Sequence, residues 1–105
     1  VSAEMARLLT KYKEQEKTLE TLVSFHADFE SIHPFQDGNG RVGRLILFKE
    51  CLHYGIVPFI ITDELRLYYY RGLSRWKDEK GFLMDTCLTA QDAMKKYLDY
   101  FRIPY

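Results

Sequence analysis

His33-Pro34-Phe35-Gln36-Asp37-Gly38-Asn39-Gly40-Arg41-Val42-Gly43-Arg44 breaks an otherwise helical sequence in two. Pro34 ends what precedes it, because the residue before a proline avoids helical angles. Upstream, Leu19, Leu22, Val23, His26 and Phe29 recur at spacings of three and four, and Phe25 and Ile32 widen the stripe into the buried face of an amphipathic helix. Downstream, Val42, Leu45, Ile46 and Leu52 predict a strongly apolar helix that stops near Gly55, a candidate C-cap. Asp-Gly and Asn-Gly are strong hairpin signals. A hairpin needs alternating strands on both sides, and both flanks here are helical.

Farther out, Val1, Met5, Leu8, Leu9 and Tyr12 predict a first helix, followed by the charged run over residues 11–17. The β-branched segment 56–61 resembles a strand, but Pro58 in its middle and the lack of a partner strand make it an extended buried connector. Thr62 is placed to cap a helix whose first turn carries Asp63 and Glu64, the charges that suit a helix N-terminus. That helix is expected to run through Tyr69, Leu73 and Trp76 to a break at 78–81. A last helix sets Leu83, Cys87, Ala90, Met94, Leu98 and Phe101 on one face and ends at Pro104. The predicted fold is all-α, a compact bundle of about five helices with the loop between helices 2 and 3.

Composition agrees with a single small domain over residues 1–105. Apolar residues make up 47% of the chain, enough for a core and against disorder. Fifteen Lys and Arg balance fifteen Asp and Glu, so no basic excess favours nucleic acid or an anionic membrane. No apolar run nears the roughly 20 residues that span a bilayer. Two cysteines, Cys51 and Cys87, are too few for a disulfide scaffold or a zinc cage. The expectation is a cytoplasmic domain. Its start at Val1 rather than Met suggests processing or a longer parent chain.

The unusual chemistry is confined to the quoted stretch. Gly38, Asn39 and Gly40 tolerate positive φ, so their N–H groups can form an anion-binding nest that opens into a helix N-terminus. Arg41 and Arg44, three apart, lie on one side of the first turn with guanidinium forks that match phosphate oxygens. Asp37 is a hard oxygen ligand suited to Mg²⁺ beside phosphates. His33 is the residue type that exchanges protons near neutrality and is the candidate base. The bland readings are an ordinary turn and a solvated basic face, and for His26 and His53 a structural role is preferred. The glycines match neither a P-loop nor a dinucleotide fold, and Arg41 and Val42 fall where an EF-hand needs oxygen ligands. Spacing alone points to phosphate binding and leaves catalysis open.

His33-Pro34-Phe35-x-Asp37-Gly38-Asn39-Gly40-Arg41-x-x-Arg44 resembles the signature of the Fic (filamentation induced by cAMP) family at every specified position. The resemblance implies an all-α nucleotidyltransferase that moves AMP from ATP to a Ser, Thr or Tyr hydroxyl of a target protein, with ATP as co-substrate and Mg²⁺ as cofactor. It implies His33 as general base and Asp37 as the metal ligand. The backbone over 38–44, including Val42 and Gly43, would surround the phosphates, with Asn39 orienting the transferred group, Arg41 at the α/β-phosphates and Arg44 at the γ-phosphate. Phe35 would point inward and pin the loop. Tyr69 and Tyr70 occupy the place where relatives line the nucleoside pocket, although core packing is an equal alternative for them.

Family members generally carry a β-hairpin flap upstream of the motif, and the helical character of residues before His33 places it outside this chain. The inhibitory Ser/Thr-x-x-x-Glu-Gly/Asn motif is approached by Thr10 to Glu14 but missed, since Gln15 follows. Alternatives within the class transfer UMP, phosphocholine or phosphate; the kept Gly-Asn-Gly favours AMP. From another class, the rival is a nucleotide- or protein-binding module without turnover.

Overall fold

The computed structural model describes all 105 residues. Five α-helices follow one another: α1 (Ser2–Glu14), α2 (Leu19–Ile32), α3 (Asn39–His53), α4 (Arg66–Ser74) and α5 (Gly81–Tyr100). There is no strand, and no helix is long and apolar enough to cross a membrane. The predicted all-α bundle, with the motif loop between the second and third helices, is what forms.

α2 is the central element and packs against α1, α3, α4 and α5. Its first turn is held by reciprocal bonds between Thr18 and Thr21. Each hydroxyl accepts the other residue's backbone N–H, at 3.2 and 2.9 Å, closing a capping box in which threonine replaces the usual Glu or Gln. Its predicted stripe is buried at Leu22, Val23, Phe25, His26 and Phe29. At its end His33 turns left-handed, with φ 54°, and Pro34 follows.

The predicted stop of α3 is observed with its mechanism. Gly55 has φ 70°. Ile56 N–H reaches back to the Cys51 carbonyl at 2.9 Å, and Gly55 N–H to that of Leu52 at 3.4 Å, the bond pair of a Schellman ending. Residues 56–61 form neither helix nor strand, as expected of a connector, but they are not buried throughout: Ile60 is exposed. Phe59 plugs it into the core, and Gln91 of α5 donates to the Val57 carbonyl at 3.0 Å.

Four expectations need correction. First, α3 begins at Asn39, and its buried face is Gly43, Leu47 and Cys51. Val42 and Ile46 are half-buried, while Leu45 and Leu52 point outward. The cause is Gly43: a methyl group there would come within 3.1 Å of the Glu30 carboxylate and 3.2 Å of the Phe29 ring. α3 therefore approaches α2 on its slimmest side. Second, Asp63–Leu65 is a 3₁₀ turn rather than the start of an α-helix, and the Thr62 hydroxyl makes no capping bond. Asp63 instead pairs with Arg66, and a 3₁₀ turn eclipses residues three apart. Third, α4 stops at Ser74, whose hydroxyl bonds the Arg71 carbonyl at 3.0 Å. The Arg71 carbonyl also accepts the Arg75 N–H at 3.0 Å, and Trp76 is buried from the following turn. Fourth, α5 ends at Tyr100. Leu83, Cys87 and Ala90 are buried, Met94 and Leu98 half-buried, and Phe101 is exposed beyond the bundle.

α4 and α5 meet at Gly72, where a Cβ would fall 2.7 Å from the Leu83 Cα. In an open helix Gly→Ala gains up to about 1 kcal/mol. Here the neighbour is backbone that cannot swing aside, and overpacking typically costs about 1–3 kcal/mol. Gly72→Ala is therefore expected to lower the urea midpoint of unfolding; an unchanged or raised midpoint would show that the two helices separate freely.

Candidate active site

The site is built where α2 ends and α3 begins. The left-handed turn at His33 lets its imidazole fold back, so that Nδ1–H donates to the Glu30 carbonyl. With Nδ1 committed as donor, Nε2 carries the ring's lone pair. One local bond thus sets both the tautomer and the orientation of the ring, the arrangement a general base requires.

The loop itself is closed by Asn39. Its side-chain Oδ1 accepts the Phe35 N–H at 2.9 Å, and its Nδ2 donates to the Phe35 carbonyl at 2.8 Å. Asn39 is buried and becomes the first residue of α3. Two readings change as a result. The Asn39 amide holds the loop rather than facing outward toward a transferred group. Phe35 does not point inward: its ring is half exposed, edge-on to Phe29 at 6.3 Å between centroids, and it is the Phe35 backbone that pins the loop.

The anion seat also differs from the predicted three-residue nest. Only Gly38 has positive φ, 73°, and it caps α3, while Asn39 and Gly40 are already helical. Val42 N–H is the first to bond within the helix, to Gly38 O at 2.9 Å. The N–H groups of residues 39–41 come before it and have no intrahelical acceptor. Together with the helix dipole they favour an anion.

Arg41 is exposed at this end of α3. Arg44 folds back across the first turn: a Cβ on Gly40 would lie 2.9 Å from its Nη1, and its Cζ stands 5.7 Å from the centre of the Tyr69 ring. Val42 packs on the core, and Gly43 is buried against Glu30 and Phe29, so both serve the α2–α3 contact. Asp37 is exposed and makes neither a hydrogen bond nor an ion pair. No group of three or more His, Cys, Asp or Glu side chains is arranged to hold an ion. A single accessible carboxylate beside an anion seat still fits Mg²⁺, which commonly takes one or two carboxylates and draws its other ligands from phosphate and water.

A cleft of about 460 Å³ opens beside the loop, with His33, Gly40, Glu30, Tyr70, Leu73 and Ser74 in its walls. It separates the two tyrosines. Tyr70 is half exposed and lines the cleft. Tyr69 is core, with its hydroxyl 2.6 Å from Nε2 of the buried His26. His53 lies exposed at the far end of α3. The structural role expected for His26 is thus observed, in contact with Tyr69 and near Arg44.

Sequence reading missed Glu30, Leu73 and Ser74. Glu30 left a signal, since it follows His26 by four and so falls on the buried face of α2. It is 7% exposed. Burial pushes its carboxyl upward, while the charges of Arg44 and His33 pull the other way.

Comparison with known proteins bears on this geometry. Residues 1–50, which include the whole loop, match the Fic/DOC family model. The chain is 44% identical over 56 residues to a probable protein adenylyltransferase of Aquifex aeolicus, covering 50% of this chain and 18% of that protein. It is 31% identical over 75 residues to a protein adenylyltransferase of Caenorhabditis elegans, covering 70% and 15%. A Nematostella vectensis protein adenylyltransferase is 37% identical over 68 residues, covering 65% and 16%. The matched stretches thus span less than a fifth of each of these relatives.

Burial of His26 lowers its pKa from 6.5 to about 4; the Gly43 backbone opposes the shift and the Arg44 charge adds to it. Its Nδ1 makes no hydrogen bond of ordinary geometry. Because the folded chain takes the proton less readily than the unfolded one, the stability tied to the neutral ring is full above pH 6.5 and is lost as pH falls toward 4. The loss is about 3 kcal/mol by order of magnitude. Urea unfolding across that window should show it, and His26→Gln should remove that share of the slope; an unchanged slope in the variant would contradict the assignment.

Proposed function

We propose that this chain, whose residues 1–50 match the Fic/DOC family model, transfers AMP from ATP to a Ser, Thr or Tyr hydroxyl of a target protein. The observation that carries this reading is the His33 imidazole, held by Nδ1 to the Glu30 carbonyl with Nε2 as the basic nitrogen, beside a cleft that ends at the N-terminus of α3. That pairs a proton acceptor with a seat for phosphate. A bare anion-binding turn does not need the first.

In this mechanism the triphosphate lies against the N–H groups of residues 39–41. The target hydroxyl oxygen forms a bond to the α-phosphorus as its proton passes to His33 Nε2. The bond from the α-phosphorus to the bridging oxygen breaks, and pyrophosphate leaves with the electron pair. Arg44 and Arg41 face the negative charge of the triphosphate and of the departing pyrophosphate. Asp37 is the residue that would hold Mg²⁺, whose contribution when bound is to neutralise phosphate charge. The half-exposed Tyr70 offers its ring to the nucleoside, while Tyr69 supports from beneath. Most of the rate gain in such a reaction comes from positioning and charge complementarity, with little covalent work for the protein.

The chain's similarity to proteins named adenylyltransferases favours AMP over other phosphate-containing groups. Incubation with target-containing lysate and ATP labelled at either the α- or the γ-phosphate separates the alternatives. Label from the α-position on protein is the expected result. Label from the γ-position would mean phosphate transfer, and no label with intact ATP binding would mean a binding module. His33→Ala is expected to reduce transfer by about 10²–10⁴-fold, the usual contribution of a general base, with ATP affinity nearly unchanged by calorimetry. Asp37→Ala should instead weaken the Mg²⁺-dependent part of ATP binding. Full transfer by His33→Ala would remove the imidazole from the chemistry.

A further inference from the structure

His26 is a buried titratable group that the mechanism above leaves idle. Its side chain is 1% exposed, and burial keeps the ring neutral by lowering its pKa to about 4. Nε2 shares a hydrogen bond of 2.6 Å with the Tyr69 hydroxyl, and the two ring centres stand 5.7 Å apart. Tyr69 is equally buried, at 1% exposed. Its ring is therefore held at both ends, by its own Cβ on α4 and by His26 on α2. A phenol fixed in this way can still flip about its long axis, but a flip presents the same face.

Two groups of the site rest against that ring. The Arg44 Cζ lies 5.7 Å from its centre, and the centre of the cleft-lining Tyr70 ring lies 5.4 Å away. Arg44 is half-buried and doubles back over Gly40, where a Cβ would meet its Nη1 at 2.9 Å. It makes no ion pair, so its guanidinium rests on an aromatic face rather than on a carboxylate. Such a contact strengthens as water is excluded, and the place of the face then decides where the charge sits. A free arginine samples many rotamers, and ordering it only when a ligand arrives would cost affinity; ordering it beforehand removes that cost.

We propose that His26 is a positioning residue: through its hydrogen bond to Tyr69 it fixes the ring on which the Arg44 guanidinium rests, and so preorganises one cation beside the first turn of α3. That this cation meets a triphosphate rests on the proposed function; its preorganisation does not.

The test uses the chain with ¹⁵N-labelled arginine. In the unaltered protein the Arg44 Nε–H signal should report restricted motion. His26→Leu and Tyr69→Phe break the bond from opposite sides, and each should release Arg44 while Arg41 stays as before. Tyr69→Phe removes a single atom and serves if the leucine variant fails to fold. His26→Gln should keep Arg44 restrained, because an amide can either donate to the Tyr69 hydroxyl or accept from it. Calorimetry should show ATP affinity falling by roughly 3- to 10-fold in the two bond-breaking variants, and no further fall when either is added to Arg44→Ala. Unchanged Arg44 motion in a folded bond-breaking variant would overturn the proposal. So would an Arg44 released equally by His26→Gln, or an equal loss of affinity in the Arg44→Ala background. An Arg44 that loosens as expected, in a chain that binds no ATP, would uphold the positioning role and contradict the transferase reading instead.

Discussion

The double hydrogen bond between the Asn39 side chain and the Phe35 backbone, at 2.9 and 2.8 Å, is the constraint on which the site depends. Its amide satisfies one donor and one acceptor of a loop that belongs to no regular element, and so closes that loop into a fixed bend. The same residue is the first of α3, so the N–H groups of residues 39–41, which have no intrahelical acceptor, follow directly on the bend. On the near side the chain has just left α2 through a left-handed His33. The His33 imidazole and the free N–H groups at the start of α3 are thereby set beside one cleft by backbone geometry rather than by long flexible side chains.

Packing beneath the loop fixes the rest. α3 can lie close to α2 because Gly43 presents no side chain to Phe29 and Glu30. α4 can lie close to α5 because Gly72 presents none to Leu83. These two contacts bring Tyr69 under Arg44 and leave Tyr70 and Leu73 facing the cleft. Buried polar groups cluster at this junction: His26 against the Tyr69 hydroxyl, and Glu30 against Gly43. Desolvating such groups works against stability, and their concentration under one end of the bundle is consistent with a site whose charges must be held in place.

Much of this was readable from the chain alone, and the reasons are local. The stripe of α2, the stop at Gly55 and the connector held open by Pro58 each follow from chemistry within a few residues. The twelve residues from His33 to Arg44 suggested phosphate chemistry because arginines, an exposed carboxylate and an imidazole gather in one glycine-containing loop. What was missed depends on neighbours distant in sequence or on competition between bonds. The register of α3 is set by how closely Gly43 meets α2, so the apolar Leu45 and Leu52 end up outside. The turn before α4 tightens because Asp63 prefers Arg66 to the role of helix start. The Asn39 amide closes the loop because it satisfies the Phe35 N–H and carbonyl at once, which leaves the Phe35 ring half exposed. Glu30 was hidden among apolar residues at helical spacing, and only the close approach of Gly43 shows where its carboxylate sits.

The central claim is that His33 presents a basic Nε2 next to a phosphate seat at the start of α3. Nitrogen NMR on histidine- and backbone-labelled protein tests it directly, by reading the His33 tautomer and following the amides of residues 39–41 during titration with ATP and Mg²⁺. The account predicts a ring that carries its proton on Nδ1 and saturable shifts of those three amides. A ring protonated at Nε2 instead, or amides that ignore the nucleotide, would contradict it.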